Sequence, residues 1–304
     1  MESELSKIIS GIDFENINKH PNILIAARFW DDKRYHAAKV CYKFMRMIDD
    51  YIDDRKSKDD AIGCLEARML TEKVNNWIEC LVNTPENDPF IEELTEIITT
   101  FKIPLQLFHN FAKSMLFDIN HDGFSSFDEF IEYSEGASVA PASVFVHLCC
   151  LNEKNGEYFA PDLDVIKVAR PCALFSYIVH IIRDFQEDQL SNLNYFATDI
   201  LEKYGLHPKD LKAIASGDPL PDSFRELIAE YHAQARHYSE DTLHEIENLS
   251  SLLEDRNLMS LKVIYGLYKM VFDRIDIEKG SFTTKEMNPS AREIKEKVIE
   301  IVSE

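Results

Sequence analysis

The sequence predicts an all-α fold, and three observations carry that expectation. Apolar residues recur at three- and four-residue steps almost everywhere, which places them on one face of a helix. No series of alternating apolar runs bounded by Asn-Gly or Asp-Gly turns is present, as a sheet built from hairpins would require. Only 9 of the 304 residues are glycine, and they are scattered. The 45% hydrophobic content, with 19 Phe and 12 Tyr, is ample for a large packed core and excludes a disordered acidic tail.

Taken in order, Lys33 to Asp54 reads as one long helix, with Ala37, Val40, Cys41, Phe44, Met47, Ile48 and Tyr51 as its apolar positions. Helical text continues over 61–81, 90–101 and 105–117. The stretch from Phe127 to Leu151 is interrupted near Pro141, because proline removes a helix hydrogen bond. Asp164 to Gln186 follows, then 222–250 and 257–277. Turn-rich segments at 83–89, 151–157 and 216–222 punctuate these helices. A polar link over 278–288 leads to a last helix, for which Asn288 is the expected cap and Pro289 the first helical residue, with Ile294, Val298, Ile301 and Val302 as its stripe. Neither a composition shift nor an internal repeat marks a boundary. The expectation is a single domain over 1–304 of about ten helices, with 280–304 forming a short polar link plus a C-terminal helix.

Lys+Arg number 33 against 54 Asp+Glu, a net charge of −21. With a pI near 4.9, no nucleic-acid surface is expected, since neutralising phosphates requires a basic face. The six cysteines include no CxxC pair, so reduced, mostly buried thiols are expected rather than a zinc ribbon or a disulfide framework. The N-terminal text lacks the basic start and apolar run of a signal peptide. The longest uncharged stretch, Gly136 to Asn152, falls short of the roughly 20 apolar residues that span a bilayer. These features predict a cytoplasmic protein with at most peripheral membrane contact. Oligomeric state is not legible. The acidity directs attention to metal cations.

Two acidic constellations stand out. In Arg46-Met-Ile-Asp49-Asp50-Tyr51-Ile52-Asp53-Asp54, Asp49 and Asp53 share one helix face, and Asp50 and Asp54 form a second pair turned by about 100°. Such carboxylates suit Mg²⁺, a hard cation that keeps several waters and binds phosphate oxygens. The competing reading is a solvated acidic helix end. In His180-Ile-Ile-Arg183-Asp184-Phe185-Gln186-Glu187-Asp188, Asp184 and Asp188 repeat the spacing after a very apolar helix, where charge is costly unless paired or metal-bound. Two Asp pairs on two core helices, each beside an arginine, point to a cavity for Mg²⁺ and a diphosphate, with Arg46 and Arg183 gripping the remaining oxygens.

These residues resemble the squalene/phytoene synthase family of isoprenoid synthases, the head-to-head trans-isoprenyl diphosphate synthases. ILIAARFWDDKRYHAAKVCYKFMRMIDDYIDD (23–54) is similar to the family's opening helices and first aspartate-rich motif. FDEFIEYSEGASVAPASVF (127–145) is similar to the segment in which a tyrosine, here Tyr133, precedes a small-residue helix kink. HIIRDFQEDQLSNLNYFATDIL (180–201) resembles the second aspartate-rich motif, followed by a Tyr-aromatic pair that includes Tyr195. LYKMVFDRI (267–275) is like the family's late helix. The sequence departs from the pattern at His180, where Asn is usual, at Tyr177, where Gln is usual, and at Ala173, where Gly is common. His20-Pro21-Asn22 replaces an N-terminal Ser-Lys-Ser.

The resemblance implies an isoprenoid-synthase-like bundle around a central cavity and Mg²⁺-dependent condensation of two prenyl diphosphates, farnesyl or geranylgeranyl, to a squalene- or phytoene-like product. It assigns metal ligation to Asp49, Asp53, Asp184 and Asp188, with Asp50 and His180 as further candidates. Diphosphate and substrate contacts fall to Arg46, Arg183, Tyr177, His180 and Tyr195. Tyr133 and Tyr195 would assist proton or leaving-group chemistry or stabilise positive charge through the ring face; an ordinary core tyrosine is the alternative for Tyr133. Phe29, Phe44, Phe145 and Phe175 are candidate cavity walls, with plain core packing as their alternative. His180 retains the capacity to ligate as neutral imidazole, whereas Tyr177 narrows the cavity, which favours a single-substrate terpene synthase on the same fold. A following reduction by NADPH stays open: no GxGxxG fingerprint supports it, and the family does not need one to use NADPH.

A calcium reading competes. Residues 118–129 match a twelve-residue EF-hand loop, with oxygen ligands at Asp118, Asn120, Asp122, Ser126 and Glu129, glycine at Gly123 and a backbone ligand at Phe124. Ser125 stands where an apolar residue pairs with a sister loop, and no sister loop exists. The alternatives are a calcium-modulated, non-catalytic relative and an Asx-rich turn that caps the next helix.

Overall fold

The computed structural model describes residues 2–15, 22–58, 61–83, 88–121 and 123–303, so His20, Pro21, most of the 83–89 turn and Asp122 lie outside the described residues. Sixteen α-helical segments and one small hairpin are formed among them. The all-α expectation holds.

Helices α1 (Glu2–Ser10) and α2 (Asn22–Ala27) precede the long α3 (Asp32–Lys56), which starts where the Asp31 carboxylate accepts from the amides of Lys33 and Arg34. Its buried stripe is Ala37, Val40, Cys41, Phe44, Ile48 and Ile52. Tyr51 instead turns outward and meets Trp77 edge-on at 5.1 Å. Then come α4 (Cys64–Glu79), α5 (Pro89–Thr100) and α6 (Leu105–Asp118).

The interruption expected near Pro141 is a π-helical turn, Glu135–Val139, between α7 (Phe127–Ser134) and α8 (Ala140–Cys149). Two local causes are visible. Pro141 cannot donate to the ladder, and Ser134 and Ser143 return their hydroxyls to the carbonyls four residues earlier, 2.7 Å away in each case. Gly136 lets this turn lie against α6, where a Cβ would overlap the Ser114 hydroxyl and the Asn110 carbonyl. The widened turn directs Ala137 and Ser138, after Tyr133, toward the interior.

Strands β1 (Asn152–Lys154) and β2 (Glu157–Phe159) form the hairpin, pairing antiparallel with Asn152 opposite Phe159. Asn155 and Gly156 both take positive φ, 55° and 81°, as a two-residue type I′ turn demands. The sequence predicts only a turn here, because the alternation lasts three residues a side.

Asp164 caps α9 (Val165–Arg183), which breaks at Asp184 and resumes as α10 (Phe185–Leu190), two helices where one was expected. By length and composition α9 is apolar enough to cross a membrane, which the sequence reading did not anticipate; half of that window is buried within the protein. After it come α11 (Thr198–Lys203), α12 (Pro208–Ala215), α13 (Asp222–Leu249), α14 (Asp255–Phe272), α15 (Thr284–Met287) and α16 (Ala291–Ser303). The final helix corrects the cap assignment. Asn288 ends α15, and Ser290 caps α16 through a reciprocal pair with Glu293, its hydroxyl meeting the Glu293 amide at 3.3 Å while Glu293 accepts the Ser290 amide at 2.7 Å. Ile294, Val298 and Ile301 are buried as expected, and Ile301 lies against Gly266 of α14.

The central packing sets α9 against α13, α8 and α14, and α3 against α6 and α8. Between these helices lies one cavity of about 490 Å³, lined from α3, α6, α7, α8, α9, α10, α13 and α14.

The close approach at Gly136 is testable. Gly136→Ala should destabilise the fold by about 1–3 kcal/mol, because α6 must move to admit the methyl. A lowered urea midpoint with an unchanged slope is the expected result.

Candidate active site

Tyr42, Arg46, Asp49 and Asp53 follow one another at four- and three-residue steps along the face of α3 opposite its buried stripe, and all four line the cavity. On α9 the same periodicity presents Ala169, Cys172, Ala173, Tyr177, His180 and Asp184, and α10 adds Glu187 and Asp188. The carboxylates therefore gather at one end of the cavity. The remaining lining includes the apolar Phe145, Ile246, Leu249, Leu261 and Ile264, with Thr242 and Glu245 also on α13.

The two motifs are balanced differently. Arg46 Nη1 contacts Asp49 at 2.8 Å and Nη2 contacts Asp50 at 2.6 Å. Arg183 donates to both Asp184 oxygens at 2.7 Å, and His180 Nε2 meets Asp184 Oδ2 at 2.6 Å. Burial opposes ionisation of Asp184, but His180 and Arg183 outweigh it and hold the carboxyl well below the usual carboxylate range. Among the described residues, Asp53 and Asp188 have no such partner within ion-pair distance. Burial, then the charges of Asp49 and Asp118, push Asp53 up to about 7. Burial, then Asp184, Asp53 and Glu187, push Asp188 up to about 8. Asp49 rises to about 6, burial again being the largest cause, against the pull of Arg46. One end of the cavity thus carries more negative charge than its own cations neutralise.

Below the carboxylates sits a group of tyrosines. Tyr133, Tyr177 and Tyr195 all line the cavity; Tyr177 stacks on Phe130 at 5.6 Å and meets Tyr195 edge-on at 6.2 Å. Burial raises all three phenols well above the ordinary value, so they are neutral hydroxyls at any physiological pH.

Of the residues singled out in the sequence, Arg46, Asp49, Asp53, Tyr133, Tyr177, His180, Asp184, Asp188 and Tyr195 come together around this cavity. Asp50 and Arg183 do not line it. Asp50 is on the adjacent helix face, half-exposed and paired with Arg46, because a one-residue step rotates it by about 100°. Arg183 is behind Asp184, to which both its contacts are made. Among the four phenylalanines considered, only Phe145 is a wall; Phe29, Phe44 and Phe175 are fully buried in the surrounding core. Sequence reasoning missed Tyr42, Tyr268 and Glu187 as lining residues. Tyr42 stands four residues before Arg46, a spacing that would have revealed it. For Asp118 the sequence leaves open a calcium-loop ligand and a capping turn near the pocket side, and Lys56 carries no signal at all.

The 118–129 stretch is folded in a way that uses its carboxylates elsewhere. Asp118, 6% exposed, accepts from the Tyr133 hydroxyl at 2.5 Å and from Lys56 Nζ at 3.4 Å. Glu129 turns back to the amide and hydroxyl of Ser125, at 2.5 and 2.7 Å, and Ser126 caps α7. Phe124 pairs with Ala197 in an isolated parallel bridge, so the loop is fastened to the segment after α10. The first and last positions of the supposed calcium loop therefore serve different partners, as the capping alternative expects. Among the described residues no three His, Cys, Asp or Glu side chains converge closely enough to hold a metal by themselves.

An all-α bundle enclosing an apolar cavity with two aspartate-rich helix ends at one mouth is the isoprenoid synthase architecture. A family model described as squalene/phytoene synthase matches residues 18–292, and the chain belongs to that family, which makes it an enzyme of the prenyltransferase class. Phytoene synthase 2, chloroplastic, from Solanum lycopersicum is 21% identical over 256 residues, 83% of this chain and 76% of the relative. Among solved structures, a dehydrosqualene synthase in complex with ligand superposes with a TM-score of 0.72 at 17% identity, covering 99% of this chain and 97% of its own. Squalene synthase HpnC from Alicyclobacillus acidocaldarius gives 0.65 at 15% identity, covering 90% and 94%. At these identities the structural likeness establishes the fold.

The charge imbalance has a measurable consequence. Above about pH 4 the unfolded chain has released the Asp188 proton, while the folded protein keeps it until pH passes about 8, so this group's contribution to stability falls over that window. Asp184 acts oppositely, but only below pH 4. Asp188→Asn should raise the melting temperature of the metal-free protein at pH 8.5, and the advantage should shrink toward pH 6. Melting curves in EDTA across this range provide the check.

Proposed function

We propose that this protein joins two prenyl diphosphates, farnesyl or geranylgeranyl, head to head to a squalene- or phytoene-like hydrocarbon, with Mg²⁺ as the required metal. The observation that carries the reading is the surplus of partly buried carboxylate facing a cavity with many apolar lining residues. Asp49, Asp53 and Asp188 are hard oxygen donors whose ionisation is suppressed by burial and then by neighbouring carboxylates, which is the chemistry a Mg²⁺ site requires. These three, with Asp184 held in place by Arg183 and His180, would hold the metal. When bound, Mg²⁺ supplies neutralisation of the diphosphate leaving group.

The protein's own groups account for the remainder. Arg46, half-exposed at the rim, reaches diphosphate oxygens through whichever guanidinium nitrogen Asp49 and Asp50 release. Arg183 acts at one remove, by fixing the Asp184 carboxylate. Phe145, Leu261 and Ile264 accommodate prenyl chains and exclude water from the carbocation. The faces of Tyr133, Tyr177 and Tyr195 stabilise positive charge beside the carboxylate end. The cavity volume of about 490 Å³ lies within the usual range of small-molecule sites. One domain over the whole chain, and a cytoplasmic location with at most peripheral membrane contact, belong to this proposal; a continuous buried cluster from α1 to α16 supports the former.

A second reading is ionisation of a single prenyl diphosphate on the same fold. The position of Tyr177 favours it, since the ring stands in the cavity between Tyr133 and Tyr195 and reduces the room for a second chain. Product mass separates the two readings.

Incubation with Mg²⁺ and farnesyl or geranylgeranyl diphosphate should yield a C30 or C40 hydrocarbon, and EDTA should abolish it. Asp49→Ala and Asp184→Ala should each lower turnover by at least about 10²-fold, the loss of several kcal/mol of leaving-group stabilisation. Absence of turnover with both substrates would refute the proposal. Calorimetry with Ca²⁺ in excess Mg²⁺ should give no further heat; a saturable signal would restore the calcium loop at 118–129.

A further inference from the structure

The long helix α3 is charged in two blocks. Residues 33–48 contain Lys33, Arg34, Lys39, Lys43 and Arg46 and no Asp or Glu, in a chain whose net charge is −21, and residues 49–54 then contain Asp49, Asp50, Asp53 and Asp54. Helix geometry puts part of the first block in line with the second. Tyr35, Lys39, Arg46 and Asp53 fall within about 40° of one another around the axis, with Lys39 roughly 10 Å from Arg46 along it and Arg46 roughly 10 Å from Asp53. Tyr42, Arg46, Asp49 and Asp53 line the cavity, whereas Lys39 stands outside it and is exposed. A row of cations therefore begins in solvent and runs along one helix face to the carboxylates of the cavity.

The outer part of this row has a built geometry. Arg28, in the turn after α2, and Lys39 both approach the Tyr35 ring, with Arg28 Cζ 4.6 Å and Lys39 Nζ 4.9 Å from its centroid. One ring thus holds two cations that repel each other, at a cost that an anion between them would remove. Lys43 Nζ lies 4.5 Å from the centroid of Phe90 on α5. Among the described residues none of these three cations has a carboxylate within ion-pair distance; Glu93, also on α5, meets His36 Nε2 at 2.9 Å instead. Several exposed cations elsewhere are taken up by neighbouring acids, as in Arg68 with Glu72, Lys203 with Glu230 and Arg292 with Glu296. Cations that serve solubility alone have no reason to depart from that pattern.

We propose that Arg28 and Lys39, held on the Tyr35 ring, form an outer capture site for the diphosphate group of the incoming substrate, which is taken from solvent there and passed along α3 to Arg46. This rests on the prenyl diphosphate reading above. A diphosphate approaching an acidic protein is repelled at long range, and the cavity it must enter is itself lined by Asp49, Asp53, Asp184 and Asp188. Even with Mg²⁺ bound among these carboxylates, positive charge there acts over only about 8 Å at physiological salt. Cations roughly 10 Å further out along the helix extend the attraction into solvent, where charge acts on the rate of encounter. Arg28 offers phosphate oxygens a planar fork of donors, and Lys39 a compact point charge. The Tyr35 ring positions both without neutralising them, as a carboxylate partner would. No covalent bond changes: the diphosphate oxygens exchange Arg28 and Lys39 for Arg46.

The test measures association rates of farnesyl and geranylgeranyl thiodiphosphate with Mg²⁺ by stopped flow, without lipid, at about 20 and about 300 mM NaCl. Binding is followed through the fluorescence of Trp30, whose ring lies 4.5 Å from that of Phe145 in the cavity wall. The proteins are the full chain, Arg28→Gln, Lys39→Gln, the double variant, Lys39→Arg and Lys285→Gln, which removes one charge from an exposed lysine of α15. At low salt each single loss of charge at the capture site should slow association about threefold and the double variant about tenfold, the dissociation rate staying the parent's, and the differences should close at high salt. Lys39→Arg and Lys285→Gln should associate as the parent does. A change confined to association and erased by salt is not what a folding defect produces. Association at the parent's rate in the double variant at low salt, or equal slowing in Lys285→Gln, overturns the capture site alone. So does loss of phosphatidylglycerol-vesicle flotation by a double variant that keeps the parent's association rate, an outcome that assigns this face to lipid. Failure of the parent to bind either thiodiphosphate overturns the prenyl diphosphate reading and the capture site with it.

Discussion

The structure is organised by one electrostatic constraint: several carboxylates face a common, partly desolvated space with too little positive charge around them. Asp49, Asp53 and Asp188 are each raised by burial first and by neighbouring carboxylates second. Such an arrangement costs stability in the absence of a cation. It persists because the helices that present it are fixed by a large apolar core on their other faces, Ala37, Val40, Cys41, Phe44, Ile48 and Ile52 on α3 and Leu174, Phe175, Ile178, Val179 and Ile182 on α9. The carboxylates are held in place by packing that has nothing to do with them.

The two motifs look alike in the sequence and behave differently in space. The first is only partly compensated: Arg46 divides itself between Asp49 and Asp50, and among the described residues no cation stands at contact distance from Asp53. In the second, Arg183 and His180 saturate Asp184, while Asp188, on the far side of the helix break, is left facing Asp53. His180 is thus no simple substitute for an amide. It shares with Arg183 the task of orienting Asp184, and its remaining ring nitrogen is the only part left for other chemistry.

The small residues and prolines that looked like interruptions turn out to be positioning devices. The π-turn at Glu135–Val139 follows from Pro141, which cannot donate to the ladder, and from the Ser134 and Ser143 hydroxyls, and Gly136 lets it lie against α6. It places Tyr133 above Asp118, a residue whose own neighbours in sequence suggested a calcium loop. The bridge between Phe124 and Ala197 then ties this loop to the segment that carries Tyr195, so the tyrosine group and the second motif form one connected unit.

Helical periodicity, aspartate spacing and the order of the motifs were enough to determine the all-α class, the family and nine of the ionisable side chains that line the cavity. These are local properties, set by 3.6 residues per turn and by which side chains suit phosphate and metal. The tertiary structure decided everything that depends on which residues distant in the chain meet. It excluded Asp50 and Arg183 from the lining, kept Phe29, Phe44 and Phe175 in the core, and moved Asp118 from a loop ligand to the partner of Tyr133 and Lys56. Those outcomes follow from packing between α3, α6, α7 and α9. Periodicity along one helix contains no information about the rotation of its neighbour, and a turn sequence does not say whether its first carboxylate faces solvent or a buried phenol.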